Sequence, residues 1–111
     1  MKKVIVCLMI GLGWMSFAHA AGDAESGQSK AAVCSGCHGA DGNSMIPSFP
    51  KLAGQGELYL FNQLKDIRDG VRSVPQMTGI LTGRSDQDLL DIAAYYSSQT
   101  GTVGATNPEL V

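Results

Sequence analysis

Cys34-Ser35-Gly36-Cys37-His38 constrains this chain more than any other stretch: two thiols three residues apart, with an imidazole directly after the second. On a helical turn these three side chains stand at i, i+3 and i+4, so they project from one face. Two cysteines in this spacing followed by histidine form the attachment signature of a c-type haem. The thiols can add to the two vinyl groups as thioethers, and the imidazole between those anchors meets the iron as its proximal ligand. One haem c per chain, held by Cys34, Cys37 and His38, is the cofactor this run predicts.

Two other chemistries use paired cysteines. A structural zinc ion needs four protein ligands, and once the amino-terminal segment is removed no third cysteine remains to help supply them. A thioredoxin-type redox pair belongs beside a βαβ pattern, and no alternating strand and helix rhythm runs through these residues.

The amino terminus carries Lys2 and Lys3, then a mostly apolar stretch from Val4 to Phe17, then the small-x-small site Ala18-His19-Ala20. This is the layout of a cleaved secretory signal peptide over residues 1–20, and it predicts a periplasmic protein. The apolar run is short for a membrane span, which takes about 20 residues. Cleavage after Ala20 removes Cys7 and leaves Ala21 to Val111, 91 residues in which both remaining cysteines are consumed by haem. No spare thiol is left for a disulfide outside the membrane. A domain this small buries a low fraction of its unfolded surface, so a large apolar cofactor is expected to supply core that the sequence lacks.

Without Lys2 and Lys3, six basic residues face ten acidic ones, a formal charge of −4 before the haem propionates are counted. No basic stripe with interleaved aromatics is present, which argues against nucleic acid as a partner. An acidic body points to a partner with a basic docking patch.

Periodicity predicts three helices and no strand, hence an all-α domain over residues 21–101. The first, over 24–35, has Asp23 as its cap and delivers the haem run near its end. A segment rich in Gly, Ser, Asn and Pro over 39–56 has loop composition, and is expected to wrap the macrocycle edge. The second helix, over 57–69, places Leu58, Phe61, Leu64 and Ile67 on one face, with Gly70 to end it. The third starts at Ser85, whose partner Asp88 gives an acidic form of the capping box, and runs to about Thr100.

His38 is the only histidine left after cleavage, so a second axial ligand must be of another type, and methionine is the strong candidate. Met45 follows His38 by seven residues, a tether of at most about 25 Å that would be nearly taut on its way to the opposite face. Met77 follows by 39 residues, enough chain to cross, and Pro75 restricts its local backbone. Met77 is therefore read as the distal iron ligand, with Met45 or an open position as the alternatives, and the better reading of Met45 is a flexible core filler. Protein ligands at both axial positions describe an electron carrier rather than an enzyme.

The run Cys34 to His38, the stretch Pro50-Lys51-Leu52-Ala53-Gly54 and Met77, set between terminal helices, resemble the class I cytochromes c. Gly39 to Ser44, Phe49 to Gln55, Met77-Thr78-Gly79 and Ser85 to Leu89 further resemble the amino-terminal haem domain of the di-haem cytochrome c-four subgroup. The resemblance implies the class I fold, three to five helices wrapped around one haem. It implies that the Pro50 carbonyl accepts a hydrogen bond from the His38 ring, and that Gly27 meets Tyr95 or Tyr96 where the first and last helices cross. It implies a periplasmic shuttle in a respiratory chain, with an upstream quinol-oxidising complex and a membrane oxidase as partners, either soluble or peripherally bound to the membrane. Only one haem run is present, so this is either a mono-haem carrier or one module of a longer di-haem protein, with residues 102–111 resembling an interdomain linker. A haem enzyme or gas sensor with a displaceable Met77 is the remaining alternative.

Overall fold

Two helices among the described residues start at side-chain caps, and one stops at a glycine turn. A computed structural model describes residues 22–102, and every structural statement below refers to these. The signal segment 1–20 and all but the first residue of the 102–111 tail lie outside the described residues.

Asp23 caps α1 (Ala24–Lys30) by accepting from the backbone N–H groups of Glu25 and Ser26. The chain then tightens into a 3-10 turn over Ala31–Cys34 and relaxes into the single turn α2, Ser35–His38. The expected first helix is thus three successive pieces and carries the whole haem run instead of stopping at its start. Ser35 explains the tightening: its hydroxyl donates to the Ala32 carbonyl at 2.7 Å, which its own N–H also approaches, drawing the turn inward.

α3 spans Glu57–Arg68. It ends as expected at Gly70, whose N–H donates to Ile67 O while that of Val71 reaches Asp66 O at 2.8 Å, a Schellman pattern made with Gly70 in the left-handed region. α4 spans Asp86–Ser98, and its capping box is complete: Asp88 N–H donates to Ser85 Oγ, and Ser85 N–H donates to the Asp88 carboxylate, both at 3.1 Å. No strand occurs among the described residues, as the periodicity predicted.

α4 is the centre of the molecule. Leu89, Ile92 and Ala93 are fully buried and Tyr96 nearly so. α1 crosses it at Gly27, where a Cβ would lie 1.9 Å from the Asp91 carbonyl oxygen and 2.9 Å from Tyr95 Cβ. The backbones can approach this closely only because position 27 has no side chain. Of the two tyrosines anticipated there, Tyr95 is the neighbour.

α3 packs on the same core through Leu60, Phe61 and Leu64. Here one expectation fails, since Leu58 is 71% exposed. The face is set by Leu60, Phe61, Leu64 and Ile67, and Leu58, two residues before Leu60, falls roughly opposite it.

Candidate haem site

The haem run sits where the amino-terminal helical segment meets α4. Cys34 is buried beside Tyr96 and Ala31, Cys37 is exposed, and His38 is 8% exposed. The common face predicted for the three residues therefore divides: one thiol points into the protein, and the other stands at the solvent edge. All three still line one cavity of about 40 Å³, together with Val33, Met77 and Ile80. A larger cavity of about 140 Å³ adjoins it and shares Cys37, His38 and Met77 while adding Phe49, Pro50, Ile67 and Val74. A third space of about 230 Å³ continues past Met77 to Arg68, Arg72 and Leu81. Met77 belongs to all three, so they form one cleft.

The long loop after α2 has the anchoring a cleft wall needs. Gly42 O accepts from Leu52 N–H and Ala53 N–H, Gly54 N–H donates to Tyr96 O at 2.9 Å, and Tyr95 Oη donates to Ala40 O at 2.7 Å. Asn43 ties the loop to the chain beyond α4, donating to Thr100 O and accepting from Thr102 N–H. Gly42 has φ +81° and lies against Tyr96, where a Cβ would come 2.6 Å from the ring. This bracing fixes Phe49 and Pro50 at the cleft. His38 Nδ1 is 2.8 Å from the Pro50 carbonyl oxygen. A carbonyl only accepts, so Nδ1 carries the proton, and in that tautomer of the neutral ring Nε2 has its lone pair for the cleft. Phe49 meets the His38 ring edge-on at a centroid separation of 6.3 Å.

Met77 is half-buried on a 3-10 turn, Pro75–Met77, that opens with the proline predicted to stiffen it. Met45 is 92% exposed and lines none of the three cavities. It is therefore not the core filler it was read as: the loop bends back at Gly42 and again through residues 45–49, leaving its side chain outside.

Burial pushes the Cys34 thiol and the Tyr96 phenol up from their ordinary values. Farther out, Asp91 on α4 is a buried carboxylate that the sequence reading did not single out. Burial pushes its pKa up, but the Asp23 N–H, the Lys30 ammonium and the Gln87 amide all donate to it and hold it below the usual carboxylate range. The i, i+4 spacing of Gln87 and Asp91 was a usable signal; the contribution of Lys30 from another helix was not.

The donor set is two thiols, an imidazole and a thioether around one largely apolar cleft, which suits a flat macrocycle with two attachment points and two axial bonds. No group of three or more His, Cys, Asp or Glu side chains that could hold a metal ion occurs among the described residues.

Comparison with known proteins agrees with this geometry. The profile of the family described as Cytochrome c matches residues 24–100. The chain is 62% identical over 111 residues to cytochrome c4 of Pseudomonas aeruginosa, covering 100% of this chain and 55% of that one. It is 48% identical over 82 residues to cytochrome c-554(548) of Halomonas halodenitrificans, covering 71% of this chain and 99% of that one. Among solved structures, that of reduced recombinant cytochrome c4 from Pseudomonas stutzeri superposes with a TM-score of 0.77 at 60% identity, covering 81% of this chain and 52% of that chain. The chain thus spans about half the length of the cytochrome c4 relatives it matches.

Proposed function

Because this chain belongs to the cytochrome c family, with its class I fold and covalently attached haem c, we propose that it carries single electrons through one haem ligated by His38 and Met77. The observation that carries this reading is the cleft lined by Cys34, Cys37, His38 and Met77 together. When bound, the haem supplies a one-electron ferric/ferrous couple. The protein's residues do the rest. Cys34 and Cys37 tether the group from the inner and outer edges of the turn. His38 presents Nε2, and Pro50 holds the imidazole in the required tautomer and orientation by accepting from Nδ1. Met77 would occupy the second axial position with a soft thioether, which raises the potential relative to a second nitrogen ligand. Phe49, Ile67, Val74 and Ile80 line the cleft with apolar surface, which disfavours the extra charge of ferric iron. With His38 and Met77 both holding the iron, transfer would be outer-sphere and small substrates would have no iron site to bind.

The setting we propose is the periplasm, reached by cleavage of the signal peptide over residues 1–20. The partners proposed are a quinol-oxidising complex upstream and a membrane oxidase downstream in a respiratory chain. Residues 21–101 would form the mono-haem domain and 102–111 a linker-like tail.

Met77→Ala should abolish the iron-thioether absorption band of the oxidised protein and lower its midpoint potential, while Met45→Ala leaves both unchanged. An unaltered spectrum in Met77→Ala would remove that residue from the iron. A haemochrome spectrum with intact mass of the exported protein tests haem count and cleavage together, the expectation being one covalent haem on a chain beginning at Ala21.

A further inference from the structure

Tyr96 carries the one buried side-chain nitrogen or oxygen among the described residues that has no hydrogen-bond partner, its hydroxyl. The residue is 1% exposed and packs in the same core cluster as Cys34. Its neighbour Tyr95, on the same helix, has its hydroxyl satisfied by Ala40 O at 2.7 Å. Leaving a phenol buried and unpaired costs about 1–3 kcal/mol, so an orphan in the middle of the core calls for a partner. The Tyr96 hydroxyl lies near enough to Cys34 for each group to shift the other's ionisation, yet it makes no hydrogen bond.

The chemistry of the sulfur decides which way that contact runs. A thiol both donates and accepts weakly, so hydroxyl and thiol can each offer a proton and neither direction is imposed. Attachment changes this. Cys34 S–H adds across a vinyl double bond, its sulfur bonding one carbon and its hydrogen going to the other, with no net oxidation. The resulting thioether has no proton and can only accept. The phenol is the donor beside it.

We propose that Tyr96 is a positioning residue for the haem attachment, its hydroxyl donating to the Cys34 sulfur in the holoprotein. The bond fixes the inner thioether against α4, and by drawing electron density from the sulfur it favours the reduced state. This rests on the haem reading above, and the two fail separately: absence of one covalent haem in the native protein overturns that reading, whereas the outcomes below concern Tyr96 with the haem in place.

The test uses the reduced, diamagnetic holoprotein and its Tyr96→Phe variant. In the native protein, proton NMR should show a Tyr96 hydroxyl resonance protected from solvent exchange, with a nuclear Overhauser contact to the Cys34 β-protons. Tyr96→Phe, which keeps the ring and removes only the oxygen, should retain one covalent haem, melt at a lower temperature and show a lower midpoint potential. A hydroxyl with no contact to Cys34 overturns the proposal, and so does a variant whose potential is unchanged or whose melting temperature rises. The NMR arm decides on its own if the variant does not fold.

Discussion

Gly27 and Gly36 lie nine residues apart in one helical segment, yet the backbone around them makes opposite demands. A methyl group at Gly27 would stand 1.9 Å from the Asp91 carbonyl oxygen, a backbone atom that cannot swing aside, so α1 would have to lift off α4. Gly27→Ala should cost about 1–3 kcal/mol or more, the range for overpacking a tight contact, seen as a lower denaturation midpoint of the holoprotein. At Gly36 nothing lies within 4 Å of the added Cβ, and the residue is inside α2 at negative φ. Gly36→Ala should leave stability unchanged or raise it by up to about 1 kcal/mol, the helical preference for alanine. A comparable loss in both variants would show that the close approach at 27 is not what joins the helices. Residues of this kind divide what was legible from what was not. Cys34, Cys37 and His38 announce their place at the cleft by spacing, and Met77 its place there by the length of chain available to it. Leu60 replaced Leu58 in the core because four apolar residues outvote one in setting a helix face. The exposure of Met45 depends on how a loop is pinned at its far end, through Asn43 and Gly54, and no local pattern encodes that.

Between elements, the contact of α1 with α4 is held by more than packing. Lys30, in the last turn of α1, reaches Asp91 at 2.5 Å and Asp88 at 3.1 Å on α4, while the Asp23 N–H closes the other end of the clamp. The hydrogen bond from Lys30 holds the Asp88 carboxyl low, as burial outweighed by three donors does for Asp91. The same two carboxylates raise the Lys30 pKa. A carboxyl whose folded pKa is depressed contributes stability above its unfolded value, near about 3.9 for Asp, and that contribution is lost as pH falls through the folded value. The raised Lys30 works at the other end: its contribution is full below about 10.4 and is lost as pH climbs through the folded pKa. Urea midpoints should therefore be flat across neutral pH and drop below about pH 4, and Asp91→Asn should shrink that acid-side drop. An acid limb as steep in Asp91→Asn as in the parent would place the linkage elsewhere. The capping box is a simpler case, because it was legible as Ser85 followed by Asp88 and its geometry is complete. Ser85→Ala should cost about 1 kcal/mol, measurable in the same titration.

For the whole molecule, the distribution of core residues makes the haem a structural partner as well as a redox centre. The buried apolar side chains belong to the amino-terminal helical segment, to Leu60 of α3 and to α4, with Leu81 the single contribution from the rest. The loops over 39–56 and 70–84 supply the cleft residues Phe49, Pro50, Val74, Met77 and Ile80, but between them bury only that one large side chain. Their bonds are turns and a few ties to the helices and to the chain beyond α4, each worth about 1 kcal/mol net, against an ordering cost of about 1–2 kcal/mol for every residue held. The cleft walls therefore depend on a large apolar surface between them. A Cys34→Ala/Cys37→Ala chain, made without covalent haem, should lose most of its helical circular dichroism and its cooperative melt. Limited proteolysis should cut it first within 39–56 and 70–84, since these segments have the least core of their own. The helical pieces fail with them, because α1 and α2 add up to little more than three turns and an isolated helix of that length is marginal in water. If the double variant instead unfolds cooperatively near the temperature of the haem-bearing protein, the polypeptide core suffices by itself and the haem is a passenger in a finished fold.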